Sequence, residues 1–237
     1  MIKQILKANK EKVAKMKLPI VLGIDSKNKP LIIDLAKVGN ILVGGATGQG
    51  KTNLLHAFAK SVYYSPRKVF EDCVVSYIDP TGVDGTRPYF DFYLTTMEEI
   101  RGELEMLCDK IEKRMNDPKL ARYPIMVLCD EIANLVMSDK RFTEILIYIA
   151  ERGHLVGIHL VAASQHHVSE LFSVQLKANI PTRICFRVDD NYASRLVLDT
   201  PDATLLSRQG EMFFSHNLKL TRLQTINVTD DNKERSI

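Results

Sequence analysis

Eight consecutive residues, Gly45-Ala46-Thr47-Gly48-Gln49-Gly50-Lys51-Thr52, have the G-x-x-x-x-G-K-[ST] spacing of a loop that wraps a polyphosphate. Glycines let successive backbone N–H groups converge on phosphate oxygens, and a helix starting at Lys51 adds the positive end of its dipole. In that geometry Lys51 reaches the β- and γ-phosphates, Thr52 ligates Mg2+, and the loop together with Asn53 holds the triphosphate. Further along, the apolar run from Ile125 to Cys129 ends in adjacent carboxylates, Asp130 and Glu131. Asp130 can hold the magnesium shell while Glu131 polarises an attacking water. Another apolar run, Ile158 to Ala163, ends at Ser164-Gln165, where Gln165 can sense the γ-phosphate or orient the water. His159, among apolar neighbours in that run, reads as a satisfied core histidine.

Such side chains act together only if their elements end at one place. Strands are expected at Ile41 to Val43, Cys73 to Ile78, Ile125 to Cys129, Ile158 to Ala163 and Ile184 to Val188. Helices are expected between them. The clearest follows Thr96, which forms a capping box with Glu99 ahead of Met97, Ile100, Leu104, Leu107, Ile111 and Met115 at steps of three and four. A second puts Phe142, Ile145, Leu146 and Ile149 on one face and is expected to end at Gly153. Strands lacking polar alternation and separated by helices imply an α/β fold, with a mainly parallel central sheet covered on both faces. Ahead of them, Ile20 to Ile24 and Leu31 to Ile33 flank a turn-rich stretch and read as a β-hairpin.

The 237 residues are 45% hydrophobic and 26% charged, which excludes disorder for the bulk of the chain. No apolar run approaches the roughly 18 residues needed to cross a bilayer, and Met1-Ile2-Lys3-Gln4 does not open a secretion signal. A cytoplasmic location is expected, with room for a membrane-tethered partner. Cys73, Cys108, Cys129 and Cys185 are spread singly, which favours neither a zinc site nor a disulfide framework. Residues 1–17 carry six lysines and one glutamate, so the rest of the chain is slightly acidic although the whole sums to +3. A general positive field is therefore not available to grip nucleic acid. The expected organisation is a basic amphipathic leader helix over 1–17, one large α/β domain over 18–229 and a polar tail over 230–237.

Taken together, Leu18 to Gly23, Asp34 to Lys37, Gly44 to Thr52, Ile78-Asp79-Pro80, the acidic strand, Val156 to Leu160, Leu176 to Ile184, Ser194-Arg195 with Leu198-Asp199, and Gly210-Glu211-Met212 resemble the motor domain of the FtsK/SpoIIIE family of double-stranded DNA translocases. The resemblance implies a RecA-like P-loop ATPase that assembles into a homohexamer, binds ATP between neighbours and threads double-stranded DNA through its pore. The chain carries no membrane-spanning region and no winged-helix module, so a mobile-element, plasmid or phage motor, or an excised motor domain, is expected.

Three positions depart from the family pattern. Where an arginine usually reaches into the neighbour's site the chain has His154, which turns attention to Arg152 as the catalytic cation acting in trans, with Arg187 in reserve. Two pore-loop positions usually basic in the family are His166 and Asn191, while Lys177 and Arg195 keep the basic character. These four are the candidate DNA-binding residues. Two alternatives stay open: an FtsK-like motor that moves a polypeptide, and an ATP-binding assembly module with little turnover.

Overall fold

The computed structural model describes residues 1–66, 73–85, 87–120, 123–165 and 174–228. Within them the apolar runs become strands of one sheet: β1 (Pro19–Ile24), β2 (Pro30–Asp34), β3 (Ile41–Gly44), β4 (Val74–Ile78), β5 (Phe92–Leu94), β6 (Ile125–Cys129), β7 (Ile158–Ser164), β8 (Thr182–Phe186), β9 (Glu211–His216) and β10 (Lys219–Gln224). Their order is β2-β1-β10-β9-β8-β3-β7-β6-β4-β5. From β8 to β5 every pairing is parallel, and β2, β1, β10 and β9 form an antiparallel wing. All five strands expected after residue 40 lie in the parallel part. The hairpin expected around residues 20 to 33 opens the wing, and the sequence reading missed β5 and the β9–β10 hairpin.

Both faces of the parallel part are buried, because strand residues alternate between two separate clusters. Leu42, Val127, Cys129, Leu160 and Ala162 face the helices Met97–Asn116 and Lys140–Arg152. Ile41, Val43, Met126, Leu128, Val161 and Ala163 face Leu54, Leu55 and Phe58 of the helix Lys51–Tyr63. His159 is buried in this interior, its Nδ1 3.2 Å from the Gly39 carbonyl. Burial pulls its pKa down to about 4, so it stays neutral.

The helix Met97–Asn116 starts at the expected capping box, with the Glu99 N–H donating to Thr96 Oγ1 and the Thr96 N–H to Glu99 Oε2. Ile100, Leu104, Leu107 and Ile111 bury its inner face, while Met97 and Met115 at its ends reach solvent. The helix Lys140–Arg152 does not turn back at Gly153. The chain continues as a 3-10 turn, Gly153–Val156, and reverses at Gly157, which has φ 83°. Gly153 serves close packing instead, since a Cβ there would lie 2.8 Å from the Ile158 carbonyl oxygen.

The basic leader is two short helices, Ile2–Ala8 and Lys10–Val13, rather than one. It is not a free solvated element. Ile2, Leu6 and Val13 pack with Val21, Ile32, Ala57, Ile226 and Val228, while its six lysines stay exposed. No helix among the described residues is long and apolar enough to cross a membrane. The expected tail over 230–237 lies outside the described residues.

Because Leu6 is 3% exposed, Leu6→Ala should lower the unfolding free energy by about 2–3 kcal/mol. Lys7→Ala should leave it within about 0.5 kcal/mol. Urea unfolding of both variants checks this; equal stabilities would mean the leader is not docked.

Candidate nucleotide site

The parallel register brings the site together. Gly44 pairs with Ser164 across β3 and β7, and Cys129 pairs with Ala162 across β6 and β7. Parallel strands share a direction, so the loop after Gly44, the carboxylates after Cys129 and the polar pair ending β7 emerge at one edge.

Backbone geometry then shapes the loop. Gly45, Gly48 and Gly50 have φ of 147°, 73° and 116°, values that side chains disfavour. Gly45 also lies under Phe186, whose Cβ would be 2.6 Å from an added Cβ. Neighbouring segments strap the loop down: the Ala46 N–H donates to the Arg187 carbonyl at 2.9 Å, the Gly210 N–H to the Gln49 carbonyl at 3.0 Å, and Gln209 Nε2 to the Gly48 carbonyl at 2.6 Å. At the crest a Cβ on Gly48 would meet nothing within 4 Å. The helix that follows begins at Lys51. An open crest, a helix N-terminus and a lysine at its first position fit the phosphates of a nucleotide.

Lys51 is buried, and its Nζ donates to the Gly45 and Ala46 carbonyls at 2.7 and 2.9 Å. Burial draws the ammonium pKa down, against the pull of Glu131 and Asp130. Thr52 Oγ1 donates to Asp130 Oδ2 at 2.5 Å, and the Tyr77 hydroxyl donates to the same oxygen at 3.2 Å. Burial raises the Asp130 carboxyl above the usual carboxylate range, and those two hydrogen bonds oppose it. A hydroxyl and a carboxylate in contact at the loop are the oxygen donors that Mg2+ prefers, so Thr52 and Asp130 fit that ion.

Glu131 is held from three sides. Its backbone is left-handed, with φ 57° and ψ 57°, which costs a non-glycine residue about 1 kcal/mol or more. Its carboxylate accepts the Gln165 N–H at 3.0 and 3.2 Å and the Ser164 hydroxyl at 3.0 Å. Thr47 Oγ1 donates to Gln165 Oε1 at 2.6 Å. A buried carboxylate is thereby tied to the polar end of β7, and that end to the loop.

Residues 1–117 match the FtsK/SpoIIIE family. Over 99% of its length the chain is 28% identical to the DNA translocase FtsK of Haemophilus influenzae, and over its full length 28% identical to the DNA translocase SftA of Bacillus subtilis. The chain is similar to the FtsK/SpoIIIE family over its first 117 residues and to DNA translocases over nearly all of its length. It spans 55% of the first relative and 28% of the second. Its fold is similar to that of the pCW3 conjugation coupling protein TcpA, solved with ATPγS, with a TM-score of 0.81 at 21% identity over 94% of this chain and 69% of that one. The cytoplasmic domain of the type VII secretion ATPase EccC from Thermomonospora curvata gives 0.68 at 23% identity, over 90% of this chain and 29% of that one. The fold is that of a P-loop ATPase.

Lys51, Thr52, Asp130, Glu131 and Gln165 converge at one edge of the sheet, as their types suggested. Other expected residues lie elsewhere. Arg152 precedes β7, at the sheet edge opposite the loop, where it is half-exposed, 3.9 Å from Glu112 and over the Tyr148 ring. His154 lies beside it, its Nδ1 3.3 Å from the Ala150 carbonyl. Asn191 opens the helix Asn191–Leu198, where its Oδ1 accepts the Thr204 hydroxyl at 3.3 Å. Arg195 is exposed on the same helix, and Asp199, one turn on, pairs with Arg183. Lys177 is partly exposed; burial and nearby Arg183 lower its pKa. His166 lies outside the described residues. Sequence reasoning missed Tyr77, Ser164's bond to Glu131 and the straps from Gln209 and Gly210.

Two outcomes follow. Glu131→Gly should be about 1 kcal/mol more stable than Glu131→Ala in chemical denaturation, because glycine relieves the left-handed backbone. Asp130 has a raised folded-state pKa, so its stabilising contribution is present below its unfolded pKa and lost as pH rises through the raised value. Asp130→Asn should therefore gain thermal stability over the parent at neutral pH, and the gain should shrink as pH falls toward the ordinary carboxylate range. A gain that grows on acidification would contradict the burial cost.

Proposed function

We propose that this chain is a cytoplasmic ATPase that works in a ring of identical subunits and moves double-stranded DNA, as part of a mobile-element, plasmid or phage motor. The observation that carries the reading is Glu131, buried and oriented by Gln165 and Ser164, set beside a phosphate loop with Lys51 and the Thr52–Asp130 pair. The DNA part is supported by relatives named DNA translocases that align with nearly the whole chain.

The roles follow from position. The loop from Gly45 to Asn53 holds the phosphates of ATP by backbone N–H groups other than that of Ala46, which is bonded to the Arg187 carbonyl, and Lys51 leaves its two carbonyls for the β- and γ-oxygens. Thr52 and Asp130 would hold Mg2+, which supplies positive charge to the phosphate oxygens. Glu131 draws the proton from a water aimed at the γ-phosphorus, and Gln165, tied to Thr47, orients that water. Arg152 sits away from its own loop, so it serves chemistry only across a subunit boundary. Lys177 and Arg195 grip the DNA backbone, with His166 and Asn191 as weaker contacts.

Lys51→Ala should lose hydrolysis and bind ATP more weakly, whereas Glu131→Gln should keep binding and lose turnover by about 10²-fold or more. Steady-state ATPase and equilibrium binding test this; a Glu131→Gln protein turning over near the parent rate would overturn the role. Adding duplex DNA separates the substrates: stimulation supports DNA movement, and turnover indifferent to DNA favours a polypeptide substrate.

Two further results are expected. The Lys177→Ala, Arg195→Ala protein should hydrolyse ATP at the basal rate but lose DNA stimulation, with each lost backbone contact removing about 0.9 from the slope of log affinity against log salt. Arg152→Ala subunits mixed into parent rings should depress turnover more than their share of the mixture, since a cation from a neighbour is worth about 10³-fold or more. Strict proportionality would assign Arg152 to its contacts with Glu112 and Tyr148 alone.

A further inference from the structure

Positive charge in this chain is concentrated in one place. Residues 1–17 hold six lysines and one glutamate, while the rest of the chain is slightly acidic. Lys3, Lys7, Lys10, Lys12, Lys15 and Lys17 are all exposed. Among the described residues none of the six forms an ion pair, and Lys3 Nζ lies 5.8 Å from the centre of the Tyr64 ring.

These charges stand on ordered backbone. Ile2, Leu6 and Val13 anchor the two leader helices in the cluster that holds Val21, Ile32 and Val228. Between the helices, Asn9 donates its Nδ2 to the Ile5 carbonyl at 2.9 Å, and its own carbonyl accepts the Val13 N–H at 3.0 Å. At the far end the buried Asp34 carboxylate accepts two main-chain donors, the Lys17 N–H at 3.1 Å and the Leu18 N–H at 2.9 Å. The leader is therefore fixed at both ends.

Such a surface suits one class of partner. Burying Ile2, Leu6 and Val13 against the body leaves the leader without the apolar face that a helix needs to lie in a lipid interface. What it offers is a row of point charges. Helical rise gives residues 2–13 a contour of about 18 Å, and duplex DNA carries one negative charge per about 1.7 Å of its axis, so several phosphates come within reach of the row at once. Contacts of this kind release counterions and need no recognition of bases.

The row is also separate from Lys177 and Arg195. Leu176 and Val197, on the helices that carry those two residues, belong to the cluster facing the helix Met97–Asn116. The leader rests instead on Ala57, and Lys3 meets Tyr64 just past the end of the helix Lys51–Tyr63 that is farther from the phosphate loop.

We propose that the docked leader is a second contact for duplex DNA, binding the phosphate backbone through Lys3 to Lys17 independently of the Lys177 and Arg195 grip. The proposal rests on the DNA reading above and adds a binding surface to it.

The test measures the binding of a fluorescent duplex by anisotropy over a series of salt concentrations. It compares the parent with a leader variant combining Lys3→Gln, Lys7→Gln, Lys10→Gln and Lys12→Gln, and with the Lys177→Ala, Arg195→Ala protein. Each lost phosphate contact removes about 0.9 from the slope of log affinity against log salt, so the leader variant should lose about 2 to 4 from that slope and roughly ten-fold or more in affinity at low salt. Glutamine keeps the helix propensity of lysine, so the thermal midpoint should match that of the parent. In the parent, added duplex should protect Lys3 to Lys17 from acetylation by an N-hydroxysuccinimide ester, read by peptide mass. An unchanged slope in the leader variant, or no protection in the parent, would overturn the proposal. If the leader variant keeps the parent's affinity while Lys177→Ala, Arg195→Ala loses it, the leader surface fails and the DNA reading stands. If the parent binds no duplex, both fail. Vesicles of equimolar phosphatidylserine and phosphatidylcholine complete the comparison: protection by vesicles and not by duplex would assign these lysines to lipid and overturn the proposal.

Discussion

Parallel pairing of β3 with β7, and of β7 with β6, is the constraint on which the rest depends. A register shift of one residue would exchange the buried faces of a strand, so the two apolar clusters fix the alignment firmly. That alignment sets Gly44 against Ser164 and Cys129 against Ala162. The phosphate loop, the acidic pair and the glutamine arrive at one edge because the core cannot pack otherwise. The chemistry inherits its precision from hydrophobic burial several residues away.

The price of that arrangement is paid locally. Lys51 and Asp130 are charged groups inside the protein, and desolvation works against both. Glu131 stands in a backbone region that glycine would fill more comfortably. Each departure from the stablest choice falls on a residue of the candidate nucleotide site, and functional sites are where strain and buried charge are expected to collect.

Much of this was legible because the signals are local. The loop spacing, the Asp130-Glu131 strand end, the Thr96–Glu99 box and the β-strand runs each occupy a short window. What escaped is non-local or disguised. The β9–β10 hairpin turns through Asn217 and Leu218, both at positive φ, and a leucine there hides the turn that an Asn-Gly pair would announce. β5 has three residues, too few for a period. His56 is far in sequence from Asp84 and Tyr89, and meets them only because the chain after β4 folds over the phosphate-loop helix. Gly153 does end the α-helix Lys140–Arg152, but its missing side chain makes room for the Ile158 carbonyl, and the left-handed reversal falls to Gly157. Arg195 and Asp199 have helical spacing, but Arg183 from the neighbouring strand takes the carboxylate first.

The docking of residues 2–13 has a mechanical side. Ile2, Leu6 and Val13 share one cluster with Ile226, Val228 and Ala57, the last in the helix that begins at Lys51. Asn53 of that helix reinforces the joint, donating to the Ile226 carbonyl and accepting the Val228 N–H. Tension on the polypeptide near residue 2 or near residue 228 therefore enters the protein at the same anchor. That anchor holds Val21 and Ile32 of the sheet as well as Ala57 of the helix that begins at Lys51, so a pull on either segment of the joint is shared between the antiparallel wing and that helix.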